Sequence, residues 1–333
     1  LGPDVPVIGC SAQGVMGSGR VREDGFASGA LALGGDSIVV RHGMVSDITT
    51  DTASKGASLG RALRDGLDGP PRVVVLNYDA VSGVDIEAFL DGLFAEVGCP
   101  IVGGGAAHSY SFEELVNTHQ YYGNTAASGA AVACSISGPF AIEVDACHGC
   151  SPVGVEVTVT RAQENVLIEL DGRRAVDLWR EICGDQFAER TALAIGIPVE
   201  HAGAEHAYRV RAPYQFEPST GGVILGCSIP VGTRVMLHHR STQDVLDGAM
   251  RMGQALSARL RGRRVRAVLG VECGSRTRPF LGDEDTLREN LELQAAIGQD
   301  AAWLGMMAWG EIFPILGRPT FHNYSYPLLA FTD

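Results

Sequence analysis

The chain has 333 residues, 45% hydrophobic and 20% charged, so it can bury a substantial core and is not expected to be disordered. Its 26 basic and 39 acidic residues give a net charge of −13 at pH 7, which argues against binding to a nucleic-acid backbone. No apolar run approaches the roughly 18 residues that a membrane span needs. We therefore expect neither a nucleic acid nor a membrane as a partner. The 8 cysteines are too few for a disulfide scaffold, so a cytoplasmic location is predicted.

The first part of the chain alternates between strand and helix patterns. Strands are predicted at 5–9, 29–33, 37–41, 72–77 and from 101, and helices at 52–67 and 85–97. Glycines between 33 and 37 suggest that the second and third strands form a hairpin. The later β-α-β order predicts a sheet with helices packed against it.

From residue 118 to 160, short strands separated by turn residues predict an antiparallel meander. These strands are expected at 126–136, 140–146 and 155–160, and a further strand at 165–170 is followed by a turn. The remaining predicted elements are helices at 174–183, 242–261 (capped by Ser241) and 283–299, and strands at 192–197, 223–228, 234–237, 265–271, 321–323 and 328–331. The fold class is therefore α+β or α/β, with mixed sheets, helices against them and two intimately packed subdomains.

A weak internal echo suggests a pseudo-repeat. Three apolar runs each end at a glycine that is followed by further glycine: 5–9 with Gly14, 100–103 with Gly104 and Gly105, and 303–305 with Gly310. Loops that follow strands in this way are where open sheets place ligands. A structural repeat without a ligand explains the echo equally well.

The segment Cys147-His148-Gly149-Cys150 is the tightest polar cluster. A structural zinc site would need a second pair of ligands, which the sequence lacks. Covalent haem attachment would need His directly after the second cysteine, where Ser151 stands. A redox dithiol would need a helix after the first cysteine, whereas a turn and a strand are predicted. No metal site is predicted.

Two other motifs also favour ordinary structural roles. The glycine-rich run 14–19 lacks the lysine and hydroxyl residue that end a phosphate loop. Cys10 and Cys273 are candidate nucleophiles, but no base is paired with either, so packed thiols are favoured. No catalytic residue is predicted.

Polar side chains follow several predicted strands near the end of the sequence. Arg276 offers a bidentate fork to a carboxylate or phosphate, or else forms an ion pair with Asp283 or Glu284. Trp309 and Glu311 precede a second group, His322 and Asn323. This mixture suits a small polar ligand in a partly apolar pocket, and it equally suits a satisfied buried network.

At these residues the sequence resembles the FIST family, a sensory domain with N- and C-terminal parts. The resemblance rests on the following stretches: Gly9-Cys10-Ser11 with Gly14, 103–106, 149–160 continuing to 169–172, and Arg276 through Gly310-Glu311 to His322-Asn323. Their order and spacing span nearly the whole chain. The chain departs from the family pattern at His108 and Ser325, and the usual opening strand and helix are missing, which predicts a truncated start.

The resemblance implies an N-terminal part at 1–170, a C-terminal part at 171–333, and sensing rather than catalysis. The family is thought to bind small molecules such as amino acids and to signal through other modules. Because this chain shows no output domain, the signal is expected to pass to a partner protein. Some members bind haem and sense nitric oxide.

Our leading hypothesis is a cytoplasmic sensor that binds an amino acid or related carboxylate between its two halves. Arg276 would hold the carboxylate and Glu311 the ammonium group. The other predicted ligand-binding residues are Cys10, Ser11, Gly104, Gly105, Trp309, His322 and Asn323. The first alternative is a haem-based gas sensor with His148 as axial ligand, and with His108, His119 and His322 as further candidates. The second is an enzyme that uses Cys10, Cys273 or His322.

Overall fold

The computed structural model describes residues 5–108, 117–184 and 192–333. The chain divides into two compact units. Unit 1 comprises Leu1–Ala146, Met250–Phe321 and Tyr326–Asp333, and unit 2 comprises Cys147–Ala249 and His322–Ser325. The predicted parts, 1–170 and 171–333, stay a prediction for the domain boundary.

Unit 1 is built mainly from strands, with helices following several of them. Its strands are β1 (Ile8–Cys10), β2 (Val15–Gly17), β3 (Arg20–Arg22), β4 (Val39–Ser46), β5 (Val73–Asp79), β6 (Ile101–Ala106), β7 (Gln120–Tyr122), β8 (Thr125–Ala127), β9 (Ala130–Ser137) and β10 (Ala141–Cys147). Its helices α1 (Thr52–Arg64) and α2 (Ile86–Val97) lie between these strands in sequence.

Unit 2 follows in the chain, and the sequence then returns to unit 1. The elements of unit 2 are β11 (Cys150–Gln163), β12 (Val166–Leu170), β13 (Arg173–Arg174), α3 (Ala175–Cys183), β14 (Leu193–Pro198), β15 (Tyr208–Arg211), β16 (Pro213–Glu217), β17 (Gly222–Leu225) and β18 (Arg234–Arg240). Helix α4 (Thr242–Leu260) leads back to unit 1, whose remaining elements are β19 (Val265–Cys273), α5 (Gly282–Ile297), β20 (Ala302–Ala308), β21 (Glu311–Ile315), β22 (Arg318–His322) and β23 (Tyr326–Thr332).

Two sheets of unit 1 share one plan. Their strand orders are β4-β9-β5-β6-β21-β22 and β10-β23-β19-β20-β2-β3. The central pairs β5/β6 and β19/β20 are parallel, and a helix (α2 or α5) connects the two strands of each pair. On either side of each pair lies an antiparallel neighbour. Unit 1 therefore contains an internal duplication.

The duplication confirms much of the glycine echo in the sequence. Gly103 on β6 lies opposite Ile312 of β21, and Gly305 on β20 lies opposite Met16 of β2, so the two glycines occupy equivalent positions. The segment 5–9 has no such place, since β1 pairs with β7 in a separate three-stranded sheet.

The core of unit 1 contains side chains from both large sheets. Val73 and Val102 of the first sheet belong to the same buried cluster as Ala267 and Leu329 of the second. Helices α1 and α2 approach each other closely: a Cβ atom on Gly56 would lie 2.1 Å from the Phe89 carbonyl oxygen. Glycine at this position therefore allows the helix backbones to touch.

Unit 2 contains an eight-stranded sheet with helix α3 packed against it. The order is β15-β14-β18-β11-β12-β17-β16, with β13 paired to β12. Helix α3 places the fully buried Trp179 in a cluster of apolar residues from these strands. No helix within the described ranges is both long and apolar enough to cross a membrane.

Most predicted elements are confirmed within a few residues, with two corrections. The predicted hairpin at 29–41 is wrong, because the chain is irregular up to β4 and contributes Leu31 and Ile38 to the core instead. The predicted meander is also wrong: β9, β10 and β11 belong to three different sheets. The boundaries of α4 are nearly as predicted, and Ser241 Oγ accepts a hydrogen bond from Asp244 N at 3.1 Å.

Candidate ligand-binding residues

The strand-end loops of unit 1 are tied together by their own backbones. Gln13 N donates to the Met307 carbonyl at 3.0 Å, and Met307 N donates to the Gly14 carbonyl at 2.9 Å. Gly105 N and Trp309 N make the corresponding bonds to Gly310 and Gly105 carbonyls, at 2.8 and 3.1 Å. The first pair of bonds extends the β2/β20 ladder and the second extends the β6/β21 ladder, so the two sheets use equivalent loops. The predicted site residues Gly105 and Trp309 take part in the second pair.

Two backbone amides among the predicted ligand-binding residues already donate to carbonyl groups of the protein. Ser11 N donates to the His119 carbonyl at 2.8 Å, and Gly105 N donates to Gly310 as described. The loops are also close-packed: a Cβ atom on Gly105 would lie 2.3 Å from the Trp309 carbonyl oxygen, and one on Gly104 would lie 2.7 Å from Val271 Cγ1. The geometry therefore favours a structural role for Ser11 and Gly105.

Cys10 is the last residue of β1, and its thiol faces the sulfur atom of Met306. Its Sγ donates to Met306 Sδ at 3.5 Å, and burial raises the pKa of the thiol to about 12. A thiol with this pKa is protonated at neutral pH and is a poor nucleophile. The geometry favours a packing role for Cys10.

Trp309 and Glu311 lie at the end of β20 and the start of β21. Trp309 Nε1 donates to Gln13 Oε1 at 2.9 Å, and the Trp309 ring meets the His108 ring edge-on, with centroids 4.6 Å apart. Glu311 is fully buried, pairs with Gly104 in the sheet and accepts a hydrogen bond from Gly310 N at 3.1 Å. The structure therefore brings Gly104, Gly105, Trp309 and Glu311 together.

Arg276 has carboxylate partners within the protein. Its guanidinium is fully buried, with Nη2 2.5 Å from Glu289 Oε1 and Nε 3.5 Å from Glu272 Oε1. The predicted ion pair with Asp283 belongs instead to Arg278, at 2.6 Å. The role of Arg276 as a ligand anchor stays a prediction, and its observed partners belong to the protein itself.

His322 and Asn323 belong to unit 2. His322 Nδ1 accepts from Val210 N at 3.4 Å, Asn323 Oδ1 accepts from Ala212 N at 3.0 Å, and Asn323 Nδ2 donates to the Tyr214 hydroxyl at 3.2 Å. Both side chains are buried, and they accept hydrogen bonds from the backbone of β15 and of the residue that follows it. The short segment from His322 is thereby fixed to unit 2.

Four basic side chains lie close enough to His322 to act on its pKa. Its pKa is lowered well below 6.5, first by burial and then by the charges of Arg211, His148, His206 and Arg209. His322 and Arg211 are fully buried, whereas His148, His206 and Arg209 are half-buried. We call these five residues the basic cluster.

Arg240 and Tyr324 add a further cationic group in unit 2. The Arg240 guanidinium carbon lies 3.6 Å from the centroid of the Tyr324 ring, a cation–π contact. Both side chains are buried, and Tyr324 directly follows Asn323. The contact fixes the position of this guanidinium within unit 2.

The sequence interpretation missed Arg211 and Arg240. Arg209 and Arg211 alternate with Tyr208 and Val210 along β15, a pattern typical of a strand with its polar face in water. Arg211 is instead fully buried. Alternation alone does not reveal that this polar face is covered, so no local signal distinguishes Arg211 from a surface arginine.

His148 is the first candidate for an axial ligand of haem. Its Nδ1 accepts a hydrogen bond from Cys150 N at 2.9 Å, which places the proton of the neutral ring on Nε2. A histidine that ligates iron through Nε2 needs the opposite tautomer, usually with Nδ1–H donating to an acceptor. His148 therefore does not fit the role of axial ligand. No cluster of metal-ligating side chains occurs in the part of the chain that the structure describes.

The described residues thus form a duplicated α/β unit and a strand-rich unit that contains the basic cluster. In a comparison with known families, residues 1–173 match the FIST N domain and residues 175–314 match the FIST C domain. The chain belongs to the FIST family, whose domains are linked to small-ligand sensing and signalling.

The chain also resembles curated mycobacterial proteins. It is 30% identical over 194 residues to the uncharacterized protein Mb0898c of Mycobacterium bovis, covering 56% of this chain and 49% of that protein. It is 29% identical over 196 residues to the uncharacterized protein Rv0628c of Mycobacterium tuberculosis, covering 56% and 50%. The chain thus spans about half the length of the curated relatives it matches.

Among solved structures, T. maritima PurL complexed with ATP aligns with 89% of this chain and 71% of its own, at 9% identity and a TM-score of 0.26. A likeness this low carries no inference about fold or ligand.

Proposed function

We propose that this protein senses a small metabolite that bears a carboxylate, and that the basic cluster of unit 2 binds the carboxylate. The observation that carries the proposal is the environment of His322, a buried imidazole whose pKa is lowered first by burial and then by the basic side chains Arg211, His148, His206 and Arg209. A potential that disfavours a proton on His322 favours an anion at the same place.

Arg211 is the residue proposed to hold the carboxylate, in place of Arg276. A guanidinium matches a carboxylate with two parallel hydrogen bonds, and such charge-assisted bonds are the strong ones. The half-buried His148, His206 and Arg209 form the more accessible part of the cluster. Asn323 and Tyr214, joined by a hydrogen bond of 3.2 Å, supply neutral polar groups beside it.

Amino acids and related carboxylates are the proposed ligand class, and the proposed output is a partner protein. The FIST family's link to small-ligand sensing supports both statements. A cytoplasmic site of action is also proposed: no disulfide joins cysteines among the described residues, which agrees with a reducing compartment.

The experiment is a thermal-shift screen with amino acids and related carboxylates, followed by calorimetry on the best binder. Arg211→Gln is the test variant and Arg234→Gln the matched control, because Arg234 is an exposed arginine of unit 2 paired with Glu156. We expect Arg211→Gln to lose about 1.5–3 kcal/mol of binding free energy, roughly 10- to 150-fold in affinity, and the control to bind normally. Unchanged affinity in a folded Arg211→Gln variant would contradict the proposal.

A further inference from the structure

Glu272, Arg276 and Glu289 form a buried cluster of charged side chains in unit 1. Glu272 lies near the end of β19, Arg276 follows it after a turn, and Glu289 lies on α5. All three side chains are fully buried. The guanidinium contacts both carboxyl groups, with the shorter distance to Glu289.

The charges of this cluster do not balance if both acids are ionised. Arginine stays protonated in proteins, so one positive charge would face two negative ones. The charged groups that act on Glu272 within the described residues are Glu289 and Arg276 alone. An uncompensated carboxylate in a buried site is strongly unfavourable.

The remaining neighbours are neutral and come from three elements. Tyr326 of β23 donates from its hydroxyl to Asn290 Oδ1 of α5 at 2.7 Å and lies 3.5 Å from Met16 Sδ of β2. The Tyr326 ring lies 6.0 Å from the Arg276 guanidinium carbon. Asn290 Nδ2 donates to the Thr286 carbonyl at 3.1 Å. None of these groups supplies a second positive charge.

The carboxyl oxygens themselves show what is lacking. Both oxygens of Glu272 and Oε2 of Glu289 are buried without a hydrogen bond of acceptable geometry among the described residues, although Glu289 and Asn290 lie close enough to act on Glu272. A hydrogen on one carboxyl group would turn it into a donor to the other, which satisfies two oxygens and removes one charge together. Burial and the neighbouring Glu289 raise the pKa of Glu272 well above 4.5, in the same direction.

We propose that Glu272 and Glu289 share one proton in the folded protein at neutral pH, and that unit 1 takes up this proton when it folds. The cluster then consists of one guanidinium, one carboxylate and one carboxylic acid, with no net charge. Loss of the proton leaves a buried negative charge between β19 and α5 and loosens their packing. Unit 1 is therefore stabilised by acid, independently of any ligand in unit 2.

The direction of the pH dependence follows from the number of protons that the folded and unfolded states bind. The folded state holds a proton that the unfolded state releases above about pH 4.5, the ordinary value for glutamate. The stabilisation is complete below that pH and is lost as the pH rises through the raised pKa. Within this window the opening equilibrium constant of unit 1 increases by up to tenfold per pH unit.

The test is hydrogen–deuterium exchange of the β19 and β23 amides between pH 5 and 8, corrected for intrinsic exchange rates. Glu272→Gln keeps the shape and the hydrogen-bond donor of the protonated side chain. Glu292→Gln is the control, because Glu292 is an exposed residue on the same helix. We expect the acid-dependent protection to persist in the wild type and the control and to disappear in Glu272→Gln. An identical pH dependence in all three proteins would overturn the proposal.

A second measurement does not depend on the folding of a variant. Infrared spectra of the wild type at neutral pH are expected to show the carbonyl band of a buried carboxylic acid that persists after long exchange into deuterium oxide. Absence of that band at pH 7 would also overturn the proposal.

Discussion

The two units of this protein bury ionisable groups in opposite states. Unit 1 surrounds Arg276 with two glutamates, so its excess charge is negative and a proton is retained. Unit 2 surrounds His322 with arginine and histidine side chains, so a proton is repelled. The same burial therefore raises the pKa of an acid in one unit and lowers the pKa of a base in the other.

Under the proposed function, this contrast separates an arginine held within the protein, Arg276, from one that binds the ligand, Arg211. Arg276 contacts Glu289 and Glu272, two carboxyl groups of the protein itself. Arg211 belongs to the basic cluster around His322, where the proposed function places an anionic ligand. Among buried arginines, the sign of the neighbouring charges indicates better than the residue type which one is suited to bind a carboxylate.

The largest expected effect is the loss of the cation in unit 1. Arg276→Ala leaves two buried carboxyl groups without their guanidinium, and we expect it to lower the free energy of unfolding by about 3–5 kcal/mol. Urea denaturation measures this change. Arg278→Ala is the control, because Arg278 is a half-exposed residue paired with the exposed Asp283. Equal stability of the two variants would contradict the expected difference in free energy between a buried ion pair and a surface one.

Changing the pH is expected to affect the two units in opposite directions. His322 has a folded pKa below its ordinary 6.5, so its contribution to stability is complete above that pH and is lost as the pH falls towards the lowered pKa. Each group changes the free energy of opening by up to about 1.4 kcal/mol per pH unit. Hydrogen exchange between pH 7 and 5 should show increased protection in β19 and decreased protection in β14 and β18.

Two variants separate the pH dependence of unit 1 from that of unit 2. Glu272→Gln should remove the pH dependence of protection in β19. His322→Asn, which keeps an acceptor for Val210 N, should remove the pH dependence of protection in β14 and β18. Slopes of the same sign in both units, insensitive to these variants, would refute the comparison.

A smaller effect is expected from the close packing of the duplicated loops. Gly105→Ala places a methyl group against the Trp309 carbonyl, which is backbone and cannot move aside, so we expect a loss of about 1–3 kcal/mol. Gly69→Ala, where nothing lies within 4 Å of the added carbon, is the control and should be nearly neutral. Thermal denaturation compares the two; a neutral Gly105→Ala would show that the loops are less tightly joined than described.

The smallest effect is expected at Cys10. Because the pKa of its thiol is raised to about 12, alkylation by iodoacetamide at pH 7.5 should be slow in the folded protein. Cys10→Ser should leave carboxylate binding unchanged. Rapid alkylation of Cys10 with loss of binding would restore the thiol to the candidate site.

The sequence predicted the regular elements better than their pairing. Hydrophobic periodicity located α2, α4 and the central strands, because burial on one face is a local pattern. The pairing of β9, β10 and β11 with three different sheets depends on contacts distant in sequence. The predicted hairpin failed for a related reason: Leu31 and Ile38 are apolar because an irregular segment covers the core, not because they form strands.

The candidate site shows the same limit. Glu311, His322 and Asn323 were recognised as polar residues at strand ends, and all three are buried. The partners of Arg276 were not predicted, since Glu272 and Glu289 lie in a strand and a helix that periodicity treats as ordinary. Whether an arginine is held by its own protein or by a ligand depends on tertiary contacts that no spacing reveals.

The most direct test of the account is an NMR titration of the His322 imidazole in the wild type and in Arg211→Gln, with and without the best carboxylate from the screen. We predict a pKa well below 6.5 in the free wild type, a higher pKa in Arg211→Gln, and a rise on ligand binding as the anion offsets the surrounding charges. A pKa of 6.5 that neither the variant nor the carboxylate changes would contradict the electropositive site on which the proposed function rests.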